Sequence, residues 1–172
     1  MRQAGFTLTE LLIVIAILGI IAAIAVPGML RARRSGNEAS AIGSLRALNS
    51  AESSYASGAG KGGFATLLAT LATACPGSNA AFISPDLSID PAIKSGYTVT
   101  MVAAAISSPG PNDCNGTATQ TAYYSTAVPV AAGLSGLRAF ASSAAGAIFF
   151  DPAGVAPTEA QMAPGGGGTT IQ

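Results

Sequence analysis

Few side chains in this sequence could do chemistry, and their types narrow the choice. Histidine is absent from the 172 residues, which removes the usual catalytic base, the Ser-His and Cys-His nucleophile pairs and His-based zinc sites. The two cysteines, Cys75 and Cys114, form an even pair. In a chain with a membrane signal they favour one disulfide made in an oxidising compartment, with two unpaired buried thiols as the other reading. Asp86 and Asp90 fall in FISPDLSIDPAIKSG (residues 82–96). Two carboxylates are too few for a calcium cage of about 6–8 oxygens, so they read as surface groups and no metal site is expected. GAGKGG (58–63) resembles a phosphate-binding loop only superficially, because Lys61 is followed by Gly and no strand precedes it. It reads as a flexible junction, and no cofactor is expected. Eight basic residues balance eight acidic ones, and charged residues are 9% of the chain against 49% apolar. That balance argues against nucleic acid as a direct partner, since phosphate binding needs clustered Lys and Arg. The one basic cluster, Arg31, Arg33 and Arg34, follows directly on an apolar run.

The remaining candidate is Glu10, at the edge of that run. Leu11 to Leu30 carries no charge, and as a helix rising about 1.5 Å per residue it spans about 30 Å, the hydrocarbon thickness of a bilayer. A cleaved secretory signal needs a shorter core of about 7–15 residues and a small-residue cleavage site, so a signal anchor fits better. Orientation is unresolved on these grounds. Arg2 before the run and three arginines after it place the body in the cytoplasm by the positive-inside rule, whereas the cysteine pair points outside. A carboxylate at the membrane edge costs a few kcal/mol unless it is solvated or paired. Either Glu10 sits among headgroups, or it has a partner. A cut between Gly5 and Phe6 would create an α-amine four residues before Glu10, on the same helical face, in this chain or a neighbouring copy.

Ala4-Gly5-Phe6-Thr7-Leu8-Thr9-Glu10, followed by LLIVIAILGIIAAIAVP, closely resembles the class III signal peptide of type IV pilins and type II secretion pseudopilins. The resemblance covers roughly residues 1–57. It implies that a prepilin peptidase cuts after Gly5 and N-methylates Phe6, leaving a leader of residues 1–5 that is short for the family. It implies that Glu10 pairs with the N-terminus of an adjacent subunit during assembly at an inner-membrane platform. It also implies a single-pass subunit of the bacterial inner membrane, with the leader cytoplasmic and the body outside, despite the arginine count. In filaments of the family, the segment matching Gly19 to Pro27 loses helical structure; in the lone subunit, Pro27 should kink the helix near residues 23–27.

The elements that must position these groups follow from pattern. Beyond Pro27, Ile42, Leu45, Leu48, Ala51 and Tyr55 recur at three- and four-residue steps and mark one helical face, with Arg46 and Glu52 expected toward solvent. Gly36 and Gly43 weaken the helix by about 1 kcal/mol each, and Gly58 ends it. Residues 6–57 then form one rod, its part from 11 to 30 spanning the membrane or filling a filament core. In the body, residues 58–172, FATLLATLATAC (64–75) reads as a short helix and residues 82–96 as irregular loop. YTVTMVAA (97–104), TQTAYYSTAVPV (119–130) and RAFASSAAGAIFFD (138–151) read as strands, the last bent or folded into a hairpin around Gly146. Residues 107–116 and 131–136 are the turns between them. Short connections favour an antiparallel meander. The fold class expected is α+β, the ladle shape of the pilin family: a long helix packed on a small antiparallel sheet. The Gly-rich tail lacks periodicity and reads as mobile.

The expected function is structural, not enzymatic: a type IV pilus subunit that polymerises with identical or related subunits through its N-terminal helix. The alternative within the family is a pseudopilin of a type II secretion system, building a periplasmic filament in place of an extracellular one. A membrane-anchored binding or catalytic domain would need a convergent polar site, and the sequence offers none.

Overall fold

The computed structural model describes residues 5–171. Most of the expected leader, Arg2 included, lies outside the described residues.

One helix, α1 (Leu8–Ser57), runs unbroken through Pro27 and is about 75 Å long at helical rise. Its first half is apolar on every side and exposed along its whole length. Its second half buries Glu38, Ala41, Ser44, Leu45, Leu48, Ala51, Glu52 and Tyr55. Steps of three and four keep this stripe on one face. Arg46 is exposed as expected, but Glu52 is fully buried. It stands four residues after Leu48 and seven after Leu45, and therefore on the buried face. The amide of Ala65 donates to its Oε2 at 3.0 Å.

The stripe lies against a six-stranded antiparallel sheet of order β1-β2-β5-β6-β7-β8. The strands are β1 (Ala92–Lys94), β2 (Tyr97–Ala103), β5 (Tyr123–Pro129), β6 (Ala139–Ser143), β7 (Ile148–Asp151) and β8 (Thr169–Thr170). A separate hairpin, β3 (Pro109–Asn112) with β4 (Ala118–Gln120), leaves between β2 and β5. Alternation aims Tyr97, Val99 and Met101 of β2 inward beside Pro129, Ala127 and Ser125 of β5, their cross-strand partners. With Leu45, Leu48 and Tyr55 of α1, and Leu68 and Leu71 of α2 (Leu68–Ala72), Tyr97, Val99, Met101 and Ala127 form one core. Each buried Leu contributes about 1.5–3 kcal/mol by leaving water.

Several segments are more regular than their patterns suggested. Residues 82–96 hold a short 3₁₀ turn (Pro85–Leu87) and β1. Ser95 and Gly96, at φ 48° and 73°, join β1 to β2, with the positive φ at both positions that a type I′ two-residue hairpin needs. The run 119–130 is two strands, β4 and β5, and the turn 107–116 contains β3. Residues 138–151 resolve into the β6–β7 hairpin. Residues 156–171 form α3 (Glu159–Met162), capped by Thr158, and β8, which pairs with β7. GAGKGG, expected to be a flexible junction, is a hydrogen-bonded turn: Gly60 N donates to Tyr55 O and Gly62 N to Ala56 O, both at 2.8 Å. A Cβ on Gly63 would overlap the Thr119 side chain, so close approach requires glycine there.

Candidate functional site

The start of α1 is built by four residues. Thr7 is extended (φ −83°, ψ 148°) and caps the helix. Its hydroxyl accepts from Glu10 N at 3.2 Å, while Glu10 Oε2 accepts from Thr7 N at 2.9 Å and from Thr7 Oγ1 at 2.7 Å. This reciprocal capping box satisfies two amides that the first turn leaves without helical partners. Glu10 therefore has donors before any second subunit meets it. A carboxylate in the first turn is also favoured by the helix dipole. Gly5 and Phe6 lie immediately outside the helix, exposed, so the bond between them belongs to a non-helical segment ahead of the cap. Behind the cap, the exposed side chains from Leu11 to Leu30 form the only apolar surface of such length among the described residues. Gly19 and Pro27 both lie within this stretch.

The cysteine pair is brought together as a disulfide, with Cα atoms 5.6 Å apart. Cys75 follows α2 and Cys114 sits in the β3–β4 turn, so the bond ties two otherwise separate pieces. Two hydrogen bonds fasten the same turn to the far end of α1: Cys114 N donates to Ala59 O at 3.1 Å, and Tyr55 Oη donates to Asp113 Oδ2 at 2.9 Å. Burial, reinforced by Asp113, pushes the Tyr55 phenol well above its ordinary pKa. Asp86 and Asp90 hold no common centre. Asp86 pairs with Lys94 at 2.6 Å, while Asp90 accepts from the amides of Leu68 and Met101, both at 3.4 Å.

Two glutamates on the buried face of α1 escaped the sequence reading. Glu38 Oε1 accepts from the amides of Leu137 and Arg138 at 2.9 and 3.2 Å. Its Oε2 accepts from Arg138 Nε at 2.8 Å, with Nη2 also at 2.8 Å. Desolvation acts to raise the Glu38 pKa, but the Leu137 amide and Arg138 outweigh it, and the net shift is downward. Glu52, two heptads further on, has no cation, and its Oε1 is buried without a partner. Burial drives its pKa up to about 8, the Ala65 amide offsetting only part. Heptad spacing from Ala41, Leu45 and Leu48 was the signal that placed both residues, and the T-x-x-E pattern was the signal for the cap.

A capped carboxylate heading an exposed apolar helix, with a sheet packed on that helix's outer half, is an α+β pilin-like arrangement. The family described as prokaryotic N-terminal methylation motif matches residues 1–26. Among curated proteins, the chain is similar to the type IV major pilin protein PilA of Myxococcus xanthus (strain DK1622), 44% identical over 54 residues. That stretch is 31% of this chain and 24% of the relative, so the chain matches only about a quarter of the relative's length. No solved structure matches significantly.

Proposed function

We propose that the chain is a structural subunit of a type IV pilus, cut between Gly5 and Phe6, N-methylated on Phe6 and polymerised through α1. The observation that carries this reading is the fully exposed apolar half of α1 headed by Glu10. Apolar surface of that extent needs either lipid or other helices around it. Before assembly, residues 11–30 lie in the inner membrane with the body outside the cytoplasm; after assembly, they lie in the filament core. The units are the leader 1–5, the helix 6–57 and the body 58–172. Partners are other copies of the subunit, a prepilin peptidase and an inner-membrane assembly platform.

The chemistry of docking follows from charge. Removal of the leader leaves an amine one residue before the Thr7 cap. In a dry helical core an unpaired carboxylate is costly, and a neighbour's amine is the partner that offsets it. Docking exchanges the local capping contacts of Glu10 for that ion pair. Gly19 and Pro27 are the positions at which helix would give way as subunits pack, because Pro27 lacks an amide for the ladder and Gly19 holds helix weakly.

The test is expression of Glu10→Gln and Glu10→Ala in the native host with sheared surface fractions assayed for filaments. Both variants should remain in the membrane and fail to appear in the sheared fraction. Wild-type-like filaments from Glu10→Ala would overturn the role given to this residue. The name of the Myxococcus relative supports a pilus subunit, and the place where filaments form separates a pilus from a secretion pseudopilus. Filaments confined to the periplasm, with loss of protein secretion on deletion, would favour the pseudopilin reading.

A further inference from the structure

The arginine cluster after the apolar run is unused by the proposed function, and it opposes the body-outside topology. We propose that Arg33, with Arg31 and Arg34, docks the base of the body onto anionic phospholipid headgroups while the subunit waits in the membrane. The site is a groove of about 490 Å³ between the exit turn of α1 and the lower end of the sheet. It is lined by Leu30, Arg33 and Asn37 of the helix and by Ile93, Val130 and Leu134 of the body. Ile93 is 70% exposed and Leu134 73% exposed.

Depth selects lipid as the occupant. Arg33 stands three residues beyond Leu30, about 4.5 Å along the helix, and Asn37 about 10 Å. The headgroup layer on each side of the hydrocarbon is about 5–8 Å thick. The groove therefore opens at headgroup level once residues 11–30 fill the hydrocarbon, and it is continuous with the apolar surface already in the bilayer. Asn37 Nδ2 donates to Ser135 O at 2.8 Å and Ser40 Oγ to Ser95 Oγ at 2.9 Å, so the body is held over this depth. Apolar side chains beside arginine suit the boundary between acyl chains and phosphates.

Charge selects an anion from outside the chain. Among the described residues, none of the three arginines makes an ion pair, and Arg34 Nε is buried without an acceptor. Anionic lipid, present at the depth of the groove, supplies phosphate to guanidinium.

This inference rests on the membrane placement proposed above. The chain has no Trp, so a single reporter can be introduced at an exposed position. The full chain carrying Leu134→Trp is placed one copy per nanodisc, in phosphatidylcholine alone or with roughly a quarter phosphatidylglycerol, with headgroup-spin-labelled lipid as quencher. Quenching should be at least about twofold stronger with phosphatidylglycerol. It should fall to the zwitterionic level in Arg33→Gln, and at about 1 M salt, where the Debye length is about 3 Å. Ile93→Trp should behave alike, guarding against local misfolding of either reporter. Ile106→Trp, 95% exposed at the other end of β2, should respond equally in both lipids. Quenching indifferent to phosphatidylglycerol or to Arg33→Gln overturns the proposal, as does quenching that appears only with two copies per disc. Ile17→Trp with a chain-labelled lipid separates the failures. If Ile17→Trp is quenched and Leu134→Trp is not, headgroup docking alone falls; if Ile17→Trp is not quenched, the membrane placement falls and takes the docking with it.

Discussion

Three glutamates on α1 have three different solutions to the problem of a charged group on an apolar helix. Glu10 is satisfied by its own cap, Glu38 by Arg138 and two amides, and Glu52 by holding a proton. The last two place opposite demands on pH. Folding keeps a proton on Glu52 up to about pH 8, whereas the unfolded carboxyl releases it near 4.5. Between those values only the folded state binds that proton, so stability falls as pH rises through the window and levels off above it, with a slope on the order of 1 kcal/mol per unit. Glu38 has a lowered pKa, so its contribution is present above about pH 4.5 and is lost as pH falls through its folded value. Denaturant midpoints measured on the full chain in detergent should therefore peak near the ordinary carboxyl pKa of 4.5 and decline toward pH 8. Glu52→Gln should flatten the alkaline limb and Glu38→Gln the acid limb. A wild-type midpoint that rises between pH 5 and 8 would contradict the protonated state assigned to Glu52.

At the scale of elements, the long helix and the strand-rich body were legible because hydrophobic period is a local property. Leu45, Leu48 and Tyr55 announce the buried face, and β2 announces itself by alternation. Glu52 was misplaced because its charge was weighed above its position, although Leu48 four residues earlier fixes the face. β1 and β8 were not legible. Each is short, and each pairs because of where a neighbour lies, β1 through the Ser95-Gly96 turn and β8 along the edge of β7. Docking of the β3–β4 hairpin was legible in part: the cysteine pair pointed to the Cys75–Cys114 bond, whereas the contact of Tyr55 with Asp113 joins positions too distant in sequence for any local pattern to reveal. Of the candidate site, the motif around Gly5, Phe6 and Glu10 was read directly, while the Thr7 contacts that hold Glu10 were missed. Two measurements belong at this scale. The disulfide spans a separation of 39 residues, and Cys75→Ser with Cys114→Ser should lower unfolding free energy by about 3–4 kcal/mol. Leu48→Ala, with its side chain fully buried between helix and sheet, should cost about 2–5 kcal/mol. A loss below about 1 kcal/mol for Leu48→Ala would mean that the stripe is not the core contact described.

The whole molecule divides into a half that has found its packing partners and a half that has not. The outer half of α1 is covered by the sheet; the inner half exposes Leu, Ile and Val along a length suited to a bilayer or to a bundle of like helices. On the proposed function such a surface passes from one apolar surrounding to another, and Glu10 would be the group whose partner changes in that transfer. On that proposal the pairing of Glu10 requires that the leader be removed, since the amine that would meet Glu10 does not exist in the uncut chain. The most direct measurement is therefore the intact mass of the protein from its native host, together with its N-terminal sequence. A chain beginning at Phe6 and carrying one added methyl group is the expected result. A chain still beginning at Met1 would contradict polymerisation through a processed N-terminus, and would leave α1 as a membrane anchor alone.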